Sequence, residues 1–206
     1  MVSDFFLQAA LKQDFEVAKS YVDSEKVSDA KIAAMCILFE EGQYQLNPTK
    51  PLRAMFNRET NAGYLANVLT GEAEKPAQFG LNLAREDANA KWKVTEINLD
   101  ALLADYATRL AGGDVYYTPL VPNPTGGDSL VLFFDFDAAE LAPRIVRQLK
   151  IVSDLLKTDP NKMLTISGHA DALGSDEYNR ELSARRAEAV RGYLVGQGVD
   201  AKQIVT

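Results

Sequence analysis

The segment Gly168-His169-Ala170-Asp171-Ala172-Leu173-Gly174-Ser175 runs straight into a helical stretch carrying Asn179 and Arg186. Over Asp176–Gln197, positions 179, 182, 186, 190 and 193 step by three or four. Asn179 and Arg186 therefore share a stripe with Leu182, Val190 and Tyr193. A guanidinium on a core-facing stripe is costly unless something satisfies it. Arg186 needs an anion, Asn179 needs a hydrogen-bonding partner, and the preceding loop offers Asp171. Two arrangements meet that need. One is an internal Asp171–Arg186 ion pair that pins the loop. The other is a cleft into which both point, with Asp171 facing an ammonium and Arg186 forking a carboxylate, so that together they read a zwitterionic amino-acid group. Arg185 and Arg191 project from other faces, toward solvent.

Little else in the chain could do chemistry. His169 is the one histidine and Cys36 the one cysteine, which excludes an internal disulfide, a Cys-rich zinc site and any site needing two imidazoles. Cys36 falls on a stripe with Ile32, Met35 and Phe39 and reads as a small buried hydrophobe. No catalytic residue, metal site or cofactor is expected, and the chain reads as no enzyme. Its 206 residues carry a net charge of −7, with 47% hydrophobic and 25% charged residues, the composition of an ordinary folded protein. An acidic chain with no basic run is no nucleic-acid binder. No apolar run approaches the roughly 18–20 residues of a transmembrane helix. The start, Met1-Val2-Ser3-Asp4, lacks a basic then apolar leader. Composition does not separate a native soluble protein from an exported one whose leader has been trimmed.

The elements that must hold these residues divide at a seam. Residues 112–128 are rich in Gly and Pro without apolar periodicity, which is linker chemistry. It separates a first domain, 1–111, from a second, 129–206. The first opens helically, with Phe5, Phe6, Ala9 and Ala10, then Phe15, Ala18 and Val22 beyond a polar break at Gln13-Asp14. A second helix is expected near 28–40. Alternation follows at Tyr64, Ala66 and Val68, at Phe79, Leu81 and Leu83, and at Trp92 and Val94. A short helix carrying Leu99, Leu102, Leu103, Tyr106 and Leu110 leads into the linker. Helices followed by an antiparallel meander make an α+β pattern. In the second domain, Ser129–Asp137 reads as a strand apolar on both faces. An amphipathic helix through Ile145, Leu149, Val152 and Leu156 ends at Asp159-Pro160-Asn161, and Met163–Ser167 alternates as a further strand.

Three blocks of the second domain occur in an order that resembles the OmpA-like peptidoglycan-binding domain. They are Leu132–Leu141 with its F-x-F strand, Ile166–Ser175 matching "G-H-T-D-x-x-G", and Tyr178–Leu194 matching "Y-N-x-x-L-S-x-x-R-A-x-x-V". The resemblance implies a βαβαβ arrangement of helices on a sheet. It also implies that Asp171 and Arg186 hold the diaminopimelate terminus of a peptidoglycan stem peptide, that Asn179 contacts the same ligand, and that Asp137 sits at the pocket rim. His169 at the "G-H" position reads as structural. Ala170 stands where the family carries Thr, and Leu173 where many members are polar. The chain stops at Ile204-Val205-Thr206, where a third strand is expected to begin, so the domain reads as incomplete, with a strand edge open to pairing.

The first domain resembles the nuclear transport factor 2-like superfamily of small bacterial lipoproteins. The likeness rests on Phe5-Phe6, the Lys12-Gln13-Asp14-Phe15 break and the strand Ala90-Lys91-Trp92-Lys93-Val94-Thr95-Glu96-Ile97. It implies a cone whose mouth takes a ligand or protein partner that the sequence does not identify. The expected protein is a non-catalytic, periplasmic, outer-membrane-associated module that binds peptidoglycan. The alternative is a self-associating envelope scaffold without wall binding.

Overall fold

Two polar positions, Gln13 and Asp14, split the first helical stretch. Gln13 takes a left-handed backbone (φ 56°) after α1 (Val2–Leu11). The Asp14 side chain then accepts the Val17 N–H and caps α2 (Phe15–Ser20). Ser28 caps α3 (Asp29–Glu41) in the same way through Lys31 N–H. In this computed structural model the described residues are 1–70, 76–110, 130, 132, 134–135, 137–168 and 175–206. They fall into two compact units, Met1–Ser129 and Leu130–Thr206.

In the first unit, period-two alternation builds β3 (Asn61–Thr70), β4 (Pro76–Ala84) and β5 (Lys93–Asn98) into an antiparallel meander. Tyr64, Ala66, Val68, Phe79, Leu81, Leu83, Val94 and Ile97 all turn one way and are buried. Phe39 of α3 meets Phe79 of β4 with ring centroids 5.5 Å apart, which places the helices on that face. Phe6, Phe15, Phe39 and Phe79 are fully buried, and each removal from water contributes roughly 1.5–3 kcal/mol. Val22 bridges Val94 in parallel, with Asp23 N–H donating to Val94 O, so the segment after α2 covers the β5 side. Helix α4 (Asp100–Leu110) follows β5, and Tyr44 Oη donates to its Asp105 Oδ2 at 3.0 Å.

Sequence reading missed two strands here. β1 (Tyr44–Leu46) and β2 (Leu52–Asn57) both pair with β3 on its side away from β4. From Arg53 to Asn57 every residue of β2 is exposed, so no alternation marks it. Trp92, expected within a strand, sits just before β5, with the Arg85 guanidinium 4.7 Å from its ring centroid. Phe5 leaves its expected stripe: it is 55% exposed and stacks on Tyr21. Cys36 is buried as expected, and burial, with the Asp14 charge second, pushes its thiol up to about 12.

The second unit runs α5 (Pro143–Thr158), β6 (Leu164–Thr165), α6 (Asp176–Gly196), a 3₁₀ turn (Ala201–Gln203) and β7 (Ile204–Val205). β6 and β7 pair in parallel, Leu164 against Ile204. Ile145, Leu149, Leu156, Val190, Leu194, Val199 and Ile204 form the core. The architecture is mixed α+β, but the expected first strand over 129–137 differs. Among its described residues, Leu130, Leu132, Phe134 and Asp135 join no ladder. Apolar packing replaces strand pairing: Leu132 and Phe134 lie against the helix core. β6 is likewise shorter than the expected Met163–Ser167, and Met163 is 60% exposed.

Candidate functional site

The N-terminal end of α6 and the segment before α5 carry the described part of the site. Ser175 caps α6 by accepting Tyr178 N–H, and Asp176 and Glu177 sit in the first turn, where the helix dipole favours carboxylates. Asn179 N–H donates to Ser175 O at 3.0 Å, which seats Asn179 on the half-buried side of that turn. Leu182 and Val190 are buried, and Arg186 and Tyr193 half-buried, on the stripe that the spacing describes.

Arg186 reaches across to residues 134–138. Its Nε donates to Ala138 O at 2.8 Å and its Nη2 to Asp135 O at 3.1 Å. The guanidinium carbon lies 5.2 Å from the Phe134 ring centroid, within cation–π range. About two turns earlier on α6 and on an exposed face, Tyr178 Oη donates to Asp137 Oδ1. Asp137 has a left-handed backbone (φ 57°), a conformation Asp tolerates better than most residues. Between Tyr178 and Arg186, α6 therefore holds the 134–138 segment from two points. The hydrogen bond to Asp137 is the leading cause that raises the Tyr178 hydroxyl above its ordinary value of 10.

Three of the four expected site residues are thus brought to one end of one unit: Asp137 on the segment, Asn179 and Arg186 on the helix. Asp171 and His169 lie outside the described residues. Arg185 and Arg191 face solvent beside Glu181 and Glu188, at 3.9 and 3.6 Å. Sequence reasoning missed the parts played by Phe134 and Tyr178. Phe134 was visible only as one member of an apolar run. Tyr178 was visible as the residue before Asn179, with nothing in its spacing to point to Asp137.

Gly168 enters the site by what it lacks. A Cβ there would stand 2.1 Å from the Ser183 carbonyl oxygen of α6. Only glycine lets the chain beyond β6 come this close to the helix. Among the described residues no cluster of histidine, cysteine or carboxylate side chains could hold a metal ion.

These features lie together at one end of a small α+β unit. Residues 133–206 match the model of the OmpA family, so this unit is an OmpA-like domain. The same stretch is similar to the peptidoglycan-associated lipoprotein of Agrobacterium fabrum, 40% identical over 75 residues, 36% of this chain and 42% of that protein. It resembles the peptidoglycan-associated lipoprotein of Haemophilus influenzae at 37% over 75 residues, 36% of this chain and 49% of the relative. Outer membrane porin F of Pseudomonas aeruginosa is 39% identical over 72 residues, 34% of this chain and 21% of the porin. The matched stretch therefore spans between about a fifth and a half of these relatives. Their names are those of envelope proteins and not of enzymes. Among the described residues no helix is long and apolar enough to cross a membrane.

Proposed function

We propose that this chain is a non-catalytic, periplasmic cell-envelope protein, associated with the outer membrane, whose C-terminal domain grips peptidoglycan. Asp171 faces the ammonium and Arg186 the carboxylate at the diaminopimelate terminus of the stem peptide. Asn179 adds a hydrogen bond, and Asp137 stands at the rim. The N-terminal domain, nuclear transport factor 2-like in type, serves a separate partner or ligand. The domain limits are 1–111 and 129–206, with 112–128 as linker.

One observation carries this reading. The residues that the zwitterion argument requires fall inside the OmpA family match, and Arg186 is fixed there by two backbone carbonyls and an aromatic face. A preorganised guanidinium loses less entropy when it forks a carboxylate.

Co-sedimentation with purified peptidoglycan tests the reading. The wild-type chain pellets with the wall, and Asp171→Ala, with an unchanged thermal transition, stays in the supernatant. Pelleting of both Asp171→Ala and Arg186→Ala at the wild-type level would sink the assigned site.

A further inference from the structure

The first unit leaves one strand uncovered. Among the described residues β2 pairs only with β3, and its other edge meets no strand. Every residue from Arg53 to Glu59 is exposed, including Met55 at 58% and Phe56 at 43%. Two hydrogen bonds fix the phase of this edge: Asn67 N–H to Pro51 O at 2.9 Å and Arg58 N–H to Asn61 O at 2.8 Å. By antiparallel alternation, Leu52, Ala54 and Asn57 then turn their backbone N–H and C=O groups away from β3. Such an edge is a template for another strand.

Its charges are mostly positive. Lys50, Arg53 and Arg58 stand against Glu59 alone between positions 50 and 59, in a chain of net charge −7. The Arg58 guanidinium carbon lies 5.9 Å from the Phe56 ring centroid. That ring lies across Gly63, where a Cβ would come within 2.3 Å of it. Phe56, Arg58, Asn61 and Lys26 line a depression of about 560 Å³ together with Asn82 and Glu96. There the Glu96 carboxylate is already engaged by Asn82 Nδ2 at 2.6 Å. Cations and apolar side chains thus remain toward the edge.

We propose that β2 is a docking edge for an acidic, extended segment of a partner protein. The segment adds as a strand beside Leu52, Ala54 and Asn57, sets carboxylates on Arg53 and Arg58, and lays apolar side chains on Met55 and Phe56. A second copy of this chain fits worse. Antiparallel pairing of two β2 strands about Met55–Phe56 would set Arg53 of one opposite Arg58 of the other, and like charges directly opposite destabilise a strand pair. The proposal stands apart from wall binding and uses none of its residues.

The test is fluorescence anisotropy of the full chain with a labelled peptide of four Glu-Val repeats, and with four Lys-Val repeats as control. Ala54→Pro removes an outward N–H without touching the β3 ladder, and Arg53→Glu with Arg58→Glu reverses the charge. The proposal expects saturable binding of the acidic peptide alone, weakened by salt and at least tenfold weaker in each variant at unchanged circular dichroism. It is overturned by no binding, by equal binding of the basic peptide, or by full affinity in either variant. A concentration-dependent dimer abolished by Ala54→Pro also overturns it, in favour of self-pairing.

Discussion

The Arg186 guanidinium stands over the Phe134 ring, 5.2 Å from its centroid, while two of its nitrogens hold the carbonyls of Asp135 and Ala138. This side chain of α6 thereby helps to fix residues that, among those described, join no ladder, and the same side chain is the one proposed to meet the ligand. Fold and site are coupled through it.

Replacing Arg186 should therefore cost stability as well as binding. Arg186→Ala forfeits two charge-assisted hydrogen bonds and a ring contact on a half-buried group, about 1–2 kcal/mol after allowance for solvent. Arg186→Lys should recover little of it, because a point charge does not reproduce the planar fork. Urea unfolding measures both. Wild-type stability in Arg186→Ala would contradict the structural part of the role.

Gly168 and Gly63 give a contrast in what a methyl group costs. At Gly168 the added Cβ meets the backbone carbonyl of Ser183, which moves only with α6. Gly168→Ala should cost about 3 kcal/mol, the upper range for overpacking. At Gly63 the obstacle is the half-exposed Phe56 ring, which can swing into solvent, so Gly63→Ala should cost under about 1 kcal/mol. Paired denaturant melts with the reverse ranking would refute this.

Gln203 is buried, and its Nε2 lies 3.0–3.1 Å from the carbonyls of Leu156, Asp159 and Lys162. Helix C-termini leave carbonyls without intrahelical partners, and this amide serves the end of α5 and the turn into β6. Gln203→Ala should destabilise the second unit by about 2–3 kcal/mol through orphaned acceptors. Faster amide exchange confined to residues 156–165 would accompany the loss, and an unchanged melt would rule the clamp out.

The Tyr178–Asp137 bond should show in an alkaline titration. The folded state holds the phenol neutral and raises its titration above 10. The contribution of this bond to stability is complete below pH 10 and is lost as pH rises through the raised value. Absorbance at 295 nm should record a late tyrosine component that Asp137→Asn returns toward the ordinary value. Identical curves for the two proteins would contradict the bond.

Where side chains alternate in burial, the elements were legible. The Gln13-Asp14 break, the β3–β5 meander and the stripe of α6 follow directly from period and capping chemistry. Where burial gives no alternation, the signal vanishes. β2 is exposed on both faces, and the described apolar residues Leu132 and Phe134 pack on the helix core and join no described ladder. In the site, Arg186 was legible as a charge on a core-facing stripe. Its contacts with the Asp135 and Ala138 carbonyls are ones that no side-chain pattern encodes. The Tyr178–Asp137 contact depends on the left-handed turn at Asp137, which spacing along α6 does not reveal.

The central claim, that Asp171 and Arg186 read a zwitterion, is tested most directly by calorimetric titration with two stem peptides. One ends its side chain in diaminopimelate, and the other carries lysine and so lacks the side-chain carboxylate. The account predicts binding of the diaminopimelate peptide, at least tenfold weaker binding of the lysine peptide, loss of that preference in Arg186→Ala, and weaker binding of both peptides in Asp171→Ala. Equal affinity of the wild type for the two peptides, or an undiminished preference in Arg186→Ala, would contradict it.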